Sequence, residues 1–238
     1  MSFPRGLLAV TLGFAAGCAS ATAPENQGQP DANSGPGIDA PEQPGIDAPV
    51  APPVDAPPGP CTTMTRQLLA NENFDATPEG TGWTAAPIDP AYPIITTDDG
   101  NSGVVEHSPT RKAWLGGAVG AIGGAAADNI YQDIAVPAGT TDLVITGQHW
   151  TKSSETSTTT AYDTVKFTVE QGATVISTVY SGGSNVRHTA WQALNHTVPN
   201  AASLAGQTIR LKLASTNDFS SVSSFWFDTL ALTATYCQ

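Results

Sequence analysis

Four histidines, His107, His149, His188 and His196, are the residues best suited to acid–base or metal chemistry, and their spacing nominates neither. None stands in a His-Glu-x-x-His pattern, which sets two imidazoles and a carboxylate on one helix face around zinc. No Gly-x-Ser-x-Gly elbow lifts a serine out as a nucleophile. His149 and His196 fall near the ends of apolar runs and read as surface or hydrogen-bonded histidines. The stronger chemical signal is aromatic. Sugar recognition needs flat apolar rings facing outward with polar groups at the rim. Trp150 closes an apolar run where a Ser/Thr-rich stretch begins, and Trp191 follows Asn185-Val186-Arg187-His188. With Tyr162 and Tyr180 they form the candidate ligand-binding set. Trp83, Trp114 and Trp226 lie inside apolar phrases and read as core.

Strands must hold these rings. In Thr164–Val169, Val165, Phe167 and Val169 alternate with Thr164, Lys166 and Thr168, the period of a strand with one buried and one wet face. The preceding Ser153–Thr160 run is too polar for burial and reads as a loop. Similar short runs predict strands over Met64–Ala70, Tyr92–Thr96, Ala113–Gly116, Ile130–Val136 and Asp142–His149. Further ones follow over Tyr162–Val169, Thr174–Tyr180, Ala193–Val198, Thr208–Ala214 and Phe225–Ala234. Turn residues such as Pro137-Ala138-Gly139 and Ser181-Gly182-Gly183 separate them. A single helical turn is expected before Gly206. This spacing predicts an all-β sandwich of about eight to ten antiparallel strands over residues 61–238, preceded by a disordered N-terminal segment.

The first 60 residues have a different texture. Leu7 to Ala16 is apolar but too short to span a bilayer, and it ends in Ala15-Ala16-Gly17-Cys18. This ending resembles the lipobox of bacterial lipoproteins. The resemblance implies a signal peptide over residues 1–17, acylation of Cys18 and an outer-membrane or cell-surface address. Plain cleavage at an Ala-x-Ala-like site, giving a secreted protein, is the alternative. Residues 18–60 lack aromatics and repeat Ile38-Asp39-Ala40-Pro41, Ile46-Asp47-Ala48-Pro49 and Val54-Asp55-Ala56-Pro57. Proline and mutually repelling acids make this an extended spacer able to reach on the order of 100 Å. Three cysteines are an odd number for an exported chain; assigning Cys18 to the lipid leaves Cys61 and Cys237 for a disulfide at the borders of the domain. The net charge of −12 comes with no basic cluster, which argues against nucleic acid and against any membrane contact other than a lipid anchor.

Several phrases, in order, resemble one family. They are Asn71-Glu72-Asn73-Phe74-Asp75 with Gly82-Trp83, His107-Ser108, Ala113-Trp114-Leu115-Gly116-Gly117 and Gln132 to Gly139. Thr158 to Val165, Ala205 to Leu211 and Phe225-Trp226-Phe227-Asp228 complete the series. They resemble the jelly-roll, galactose-binding-like domains appended to secreted bacterial proteases and, more loosely, carbohydrate-binding modules. The resemblance implies a jelly-roll β-sandwich and a glycan or polysaccharide ligand without catalysis. Contact with an envelope protein, as an adhesion or protease-accessory module, is the second expectation. It also implies a structural Ca²⁺ near Glu72, Asp75 and Asp228. The same aspartates could instead cap turns, or Asp228 could pair with Arg210 or Lys212. A change of strand phase between Phe227 and Leu230 marks a bulge beside Asp228.

Overall fold

The computed structural model describes residues 61–86, 92–117 and 125–238. The leader, Cys18 and the linker to residue 60 lie outside the described residues. The strands are β1 (Thr63–Gln67), β2 (Thr84–Ala86), β3 (Ile95–Thr96), β4 (Lys112–Leu115), β5 (Ala126–Ala135) and β6 (Thr140–Ser153). They continue with β7 (Thr164–Gln171), β8 (Thr174–Gly183), β9 (Gln192–Thr197), β10 (Thr208–Asn217) and β11 (Ser223–Cys237). The expected helical turn is the 3-10 turn Ala201–Leu204. The ten strands marked by the sequence are all present, and β2 is an additional short one.

Two antiparallel sheets form a jelly-roll β-sandwich. One has the order β3-β4-β11-β6-β9, with β1 on the C-terminal half of β11; the other runs β2-β5-β10-β7-β8. Alternation sets the core. On β10, Ile209, Leu211 and Leu213 are buried while Arg210 and Lys212 stay half exposed. Leu143, Ile145, Val165, Phe167, Val169, Phe225, Phe227 and Leu232 meet them from the other strands. Each such side chain contributes about 1.5–3 kcal/mol by leaving water.

Two local devices shape the sheet that carries the site. The register of β6 against β11 jumps between Asp228 and Ala231, so Thr229 and Leu230 bulge opposite Gly147. A Cβ on Gly147 would stand 2.5 Å from Leu230 Cδ2, so glycine makes room for the bulged side chain. At the other end, Cys61 and Cys237 form the expected disulfide, with Cα atoms 5.5 Å apart. Backbone bonds between Thr62 and Gln238 in both directions, 3.0 and 3.1 Å, close the same ends.

Candidate functional site

Four of the five tryptophans share one face, the side of the six-stranded sheet turned away from the core. Trp226 on β11 pairs with Trp114 on β4 and with Trp150 on β6. The Trp114 and Trp226 rings stack at 6.2 Å and 16°. Trp191, just before β9, meets Trp150 edge-on at 5.7 Å and 83°. The expectation that Trp114 and Trp226 fill the core is therefore corrected. Trp226 is fully buried, but outside the core cluster between the sheets. Trp83 is core as expected, packed 5.2 Å from Phe74.

The 98–108 segment is pinned across the row at several points. Fully buried Lys112 donates to Glu106 at 2.8 Å, and the Lys152 ammonium donates to the Ser102 carbonyl. Trp191 Nε1 donates to the Val105 carbonyl at 3.1 Å. At the other end of the row Trp150 and Trp191 are half-buried. Beside it on the same face, β6 presents Thr146 and Gln148, directly paired with Asn195 and Ala193 of β9. Thr146, Ala193 and Asn195 are exposed and Gln148 is half-buried. Two aromatic rings thus adjoin a small step flanked by amide and hydroxyl groups.

The structure brings Trp150 and Trp191 together and sets Tyr180 on the inward side of β6, against His149 and Phe227. Tyr180 on β8 turns inward, 4.0 Å from the His149 ring and 6.3 Å from Phe227. Its phenol is pushed up by burial, with a hydrogen bond to the Thr151 side chain pulling the other way. Tyr162 is 53% exposed, before β7. His149, expected as a surface or hydrogen-bonded histidine, is instead 7% exposed and faces Tyr180, His188 and Phe227. Its Nδ1 has no partner among the described residues. Burial first, and the neighbouring His188 second, hold its pKa down at about 4. His196 is hydrogen-bonded as expected, Nε2 lying 2.5 Å from Ser177 Oγ across the sheet edges.

Asp163 is a residue whose role the sequence did not disclose. Fully buried, it accepts from the Asp218 amide at 2.8 Å and from the Ser223 hydroxyl, while its own amide donates to Ser184 Oγ. It joins the end of the Ser/Thr loop to the β10–β11 turn, with the exposed Tyr162 and Phe219 on either side of the junction. Arg187 braces the same loop through the carbonyls of Glu155, Ser157 and Ser184.

The acidic set holds one loop from two sides. Asp228 accepts from the His107 amide (2.8 Å), the Ser108 amide (2.9 Å), the Ser108 hydroxyl (2.8 Å) and the Thr229 amide (2.6 Å). Burial pushes its carboxyl up against the pull of those donors. Asp75 accepts from the Thr110 and Arg111 amides and from Asn73 Nδ2. Arg210 pairs with Asp133 instead, 2.7 and 2.8 Å. Four donors use the lone pairs of Asp228 and three use most of those of Asp75. Glu72 is exposed, with its carbonyl bonded to the Leu230 amide at 2.9 Å. Ca²⁺ needs about six to eight oxygens. Among the described residues no three His, Cys, Asp or Glu side chains gather to hold a metal. The donors present fit a loop cap and do not fit a calcium shell.

No protein-family model and no curated protein matches the chain. Among solved structures it is similar to TmCBM61 in complex with β-1,4-galactotriose, at 16% identity over 70% of this chain and 97% of that one, TM-score 0.43. It is similar to the xylan-binding module CBM15 at 12% identity over 74% and 99%, TM-score 0.38. It is also similar to a Stig cyclase from Fischerella sp. TAU at 13% identity over 74% and 100%, TM-score 0.45.

Proposed function

We propose that this protein is a carbohydrate-binding module without catalytic activity, displayed from the cell envelope by a lipid on Cys18 and the spacer over residues 18–60. The observation that carries the binding reading is the Trp150–Trp191 corner, flanked on one open face by Gln148, Asn195 and Thr146. A pyranose ring presents apolar C–H groups on its face and hydroxyls at its rim. The indoles take the face, and the amides and hydroxyl take the rim. Anchoring rests on the sequence of the first 60 residues alone. Incubating the protein with a panel of insoluble and gel-embedded polysaccharides, β-1,4-galactan and xylan included, tests the binding reading. Retention on at least one supports it, and retention on none, with the fold intact, contradicts it.

Contact with another envelope protein is the second reading, favoured by Phe219 and Tyr162, 76% and 53% exposed beside the Asp163 junction. A cross-linked complex unaffected by competing sugars and lost on Phe219→Ser would favour it.

A further inference from the structure

The pairing of β6 with β9 stops at His149–Gln192, just short of the aromatic corner. Beyond that point the β8–β9 connection returns to β6 through one residue. The His188 amide donates to the Thr151 carbonyl at 2.9 Å, and the Thr151 amide donates to His188 Nδ1 at 3.1 Å. The His188 carbonyl accepts from Trp150 Nε1 at 3.0 Å. A side-chain nitrogen thus does the work of a strand carbonyl, and the same residue fixes the indole. We infer that His188 is the positioning residue of the aromatic platform, and that protonation of its Nδ1 loosens the platform and releases bound carbohydrate in mild acid. The release rests on the carbohydrate reading above, whereas the positioning role does not.

Neutral imidazole offers one donor and one acceptor, and the Thr151 amide requires Nδ1 to be the acceptor. Once protonated, both ring nitrogens donate, so two N–H groups face each other where a hydrogen bond had been. The new cation also lies beside His149, whose ring centroid is 5.0 Å away. Other titratable or charged groups around the corner do not offset it. Tyr180 packs from β8 against His149. Lys152 lies 5.7 Å from the Trp150 ring centroid and is itself a cation. Arg187 is tied to three carbonyls, Glu106 is tied to Lys112, and the His107 ring lies 6.0 Å from that of Trp191. Among the described residues no carboxylate bonds to His188. Burial lowers its pKa and that of His149, so the transition falls below the ordinary histidine value of about 6.5.

The experiment compares the full chain with His188→Asn and His188→Leu between pH 7.5 and 4.5. The asparagine Oδ1 can accept the Thr151 amide but does not titrate, whereas leucine can do neither. Near-ultraviolet circular dichroism, taken as the part of the signal removed by Trp150→Phe, reads the platform without any sugar. Retention in gels containing β-1,4-galactan or xylan reads binding. The wild type is expected to lose the tryptophan signal as pH falls, with far-ultraviolet signal unchanged, and to lose at least tenfold in retention. His188→Asn keeps both down to pH 5, and His188→Leu lacks the signal at pH 7.5. A His188→Asn profile that follows the wild type, or a His188→Leu signal equal to wild type at pH 7.5, overturns the inference. The expected dichroism with no retention in either gel supports the positioning role and counts against the release of carbohydrate.

Discussion

Trp150 and Trp226 are direct cross-strand partners on β6 and β11, on the face of the six-stranded sheet turned away from the core. That pairing puts the fully buried Trp226 in the middle of the row, between the half-buried Trp114 and the half-buried Trp150. Trp226 is fully buried, and neither its indole N–H nor that of Trp114 has a partner among the described residues. Trp150 is half-buried, with its N–H satisfied by His188. Among the described residues the Trp150–Trp191 end sets half-buried rings beside the Gln148 and Asn195 amides.

Asp228 is expected to stabilise the fold without metal. Asp228→Ala leaves the His107, Ser108 and Thr229 amides without their acceptor. The expected loss is about 2–4 kcal/mol, read as a lower midpoint in urea with the slope unchanged. Because the carboxylate already caps this loop, millimolar calcium or EDTA should move the wild-type melting temperature by less than about 1 °C. A rise of several degrees with calcium would refute the cap as its whole role.

The Cys61–Cys237 bridge spans 176 residues of sequence. Loop-closure entropy for such a span gives an upper figure of about 5 kcal/mol. The paired backbone of Thr62 and Gln238 holds part of the same contact after reduction. Cys61→Ser with Cys237→Ser should therefore lower stability by about 2–4 kcal/mol. Thermal unfolding of oxidised and reduced protein checks this, and equal melting temperatures would contradict it.

Acid should weaken the fold through His149 before most carboxylates are protonated. Its folded pKa of about 4 lies below the ordinary 6.5, so the unfolded chain binds the proton more readily. The stability is fully present above about pH 6.5 and is lost as pH falls toward 4, amounting to about 3 kcal/mol for this site. Burial of His188 acts with the same sign. Asp228 opposes it, because a carboxyl raised by burial takes up its proton more readily in the folded chain. His149→Phe removes the histidine share. Urea midpoints between pH 7 and 4.5 should fall less steeply for that variant, and identical slopes would exclude His149 as a source.

The fold was legible because its strands alternate strongly. Val165, Phe167 and Val169, and Ile209, Leu211 and Leu213, each mark an inner face that side-chain period alone assigns. Strand β2 was missed because Thr84-Ala85-Ala86 is short and lacks a large apolar residue. The same alternation could have placed Trp226 outside the core: with Phe225 and Phe227 inward, the residue between them must face outward, and Trp114 between Ala113 and Leu115 follows the same rule. Both phrases are apolar throughout, yet each sends its tryptophan to the opposite face from its neighbours. His149 was misread for the opposite reason, since β6 runs on to Ser153 and the histidine is not at its end. That Trp150 and Trp191 meet depends on the β8–β9 connection returning through His188, a tertiary relation that no local pattern encodes.

The most direct test of the carbohydrate-binding reading is isothermal titration of wild type, Trp191→Ala, Asn195→Ala and Tyr162→Ala with an oligosaccharide from whichever polysaccharide retains the protein. Trp191→Ala is expected to weaken affinity at least tenfold, equivalent to about 1.4 kcal/mol, and Asn195→Ala to weaken it several-fold. Tyr162→Ala should bind as the wild type does. Affinity unchanged in Trp191→Ala but lost in Tyr162→Ala would place the site at Tyr162 rather than at the Trp150–Trp191 corner and contradict the account.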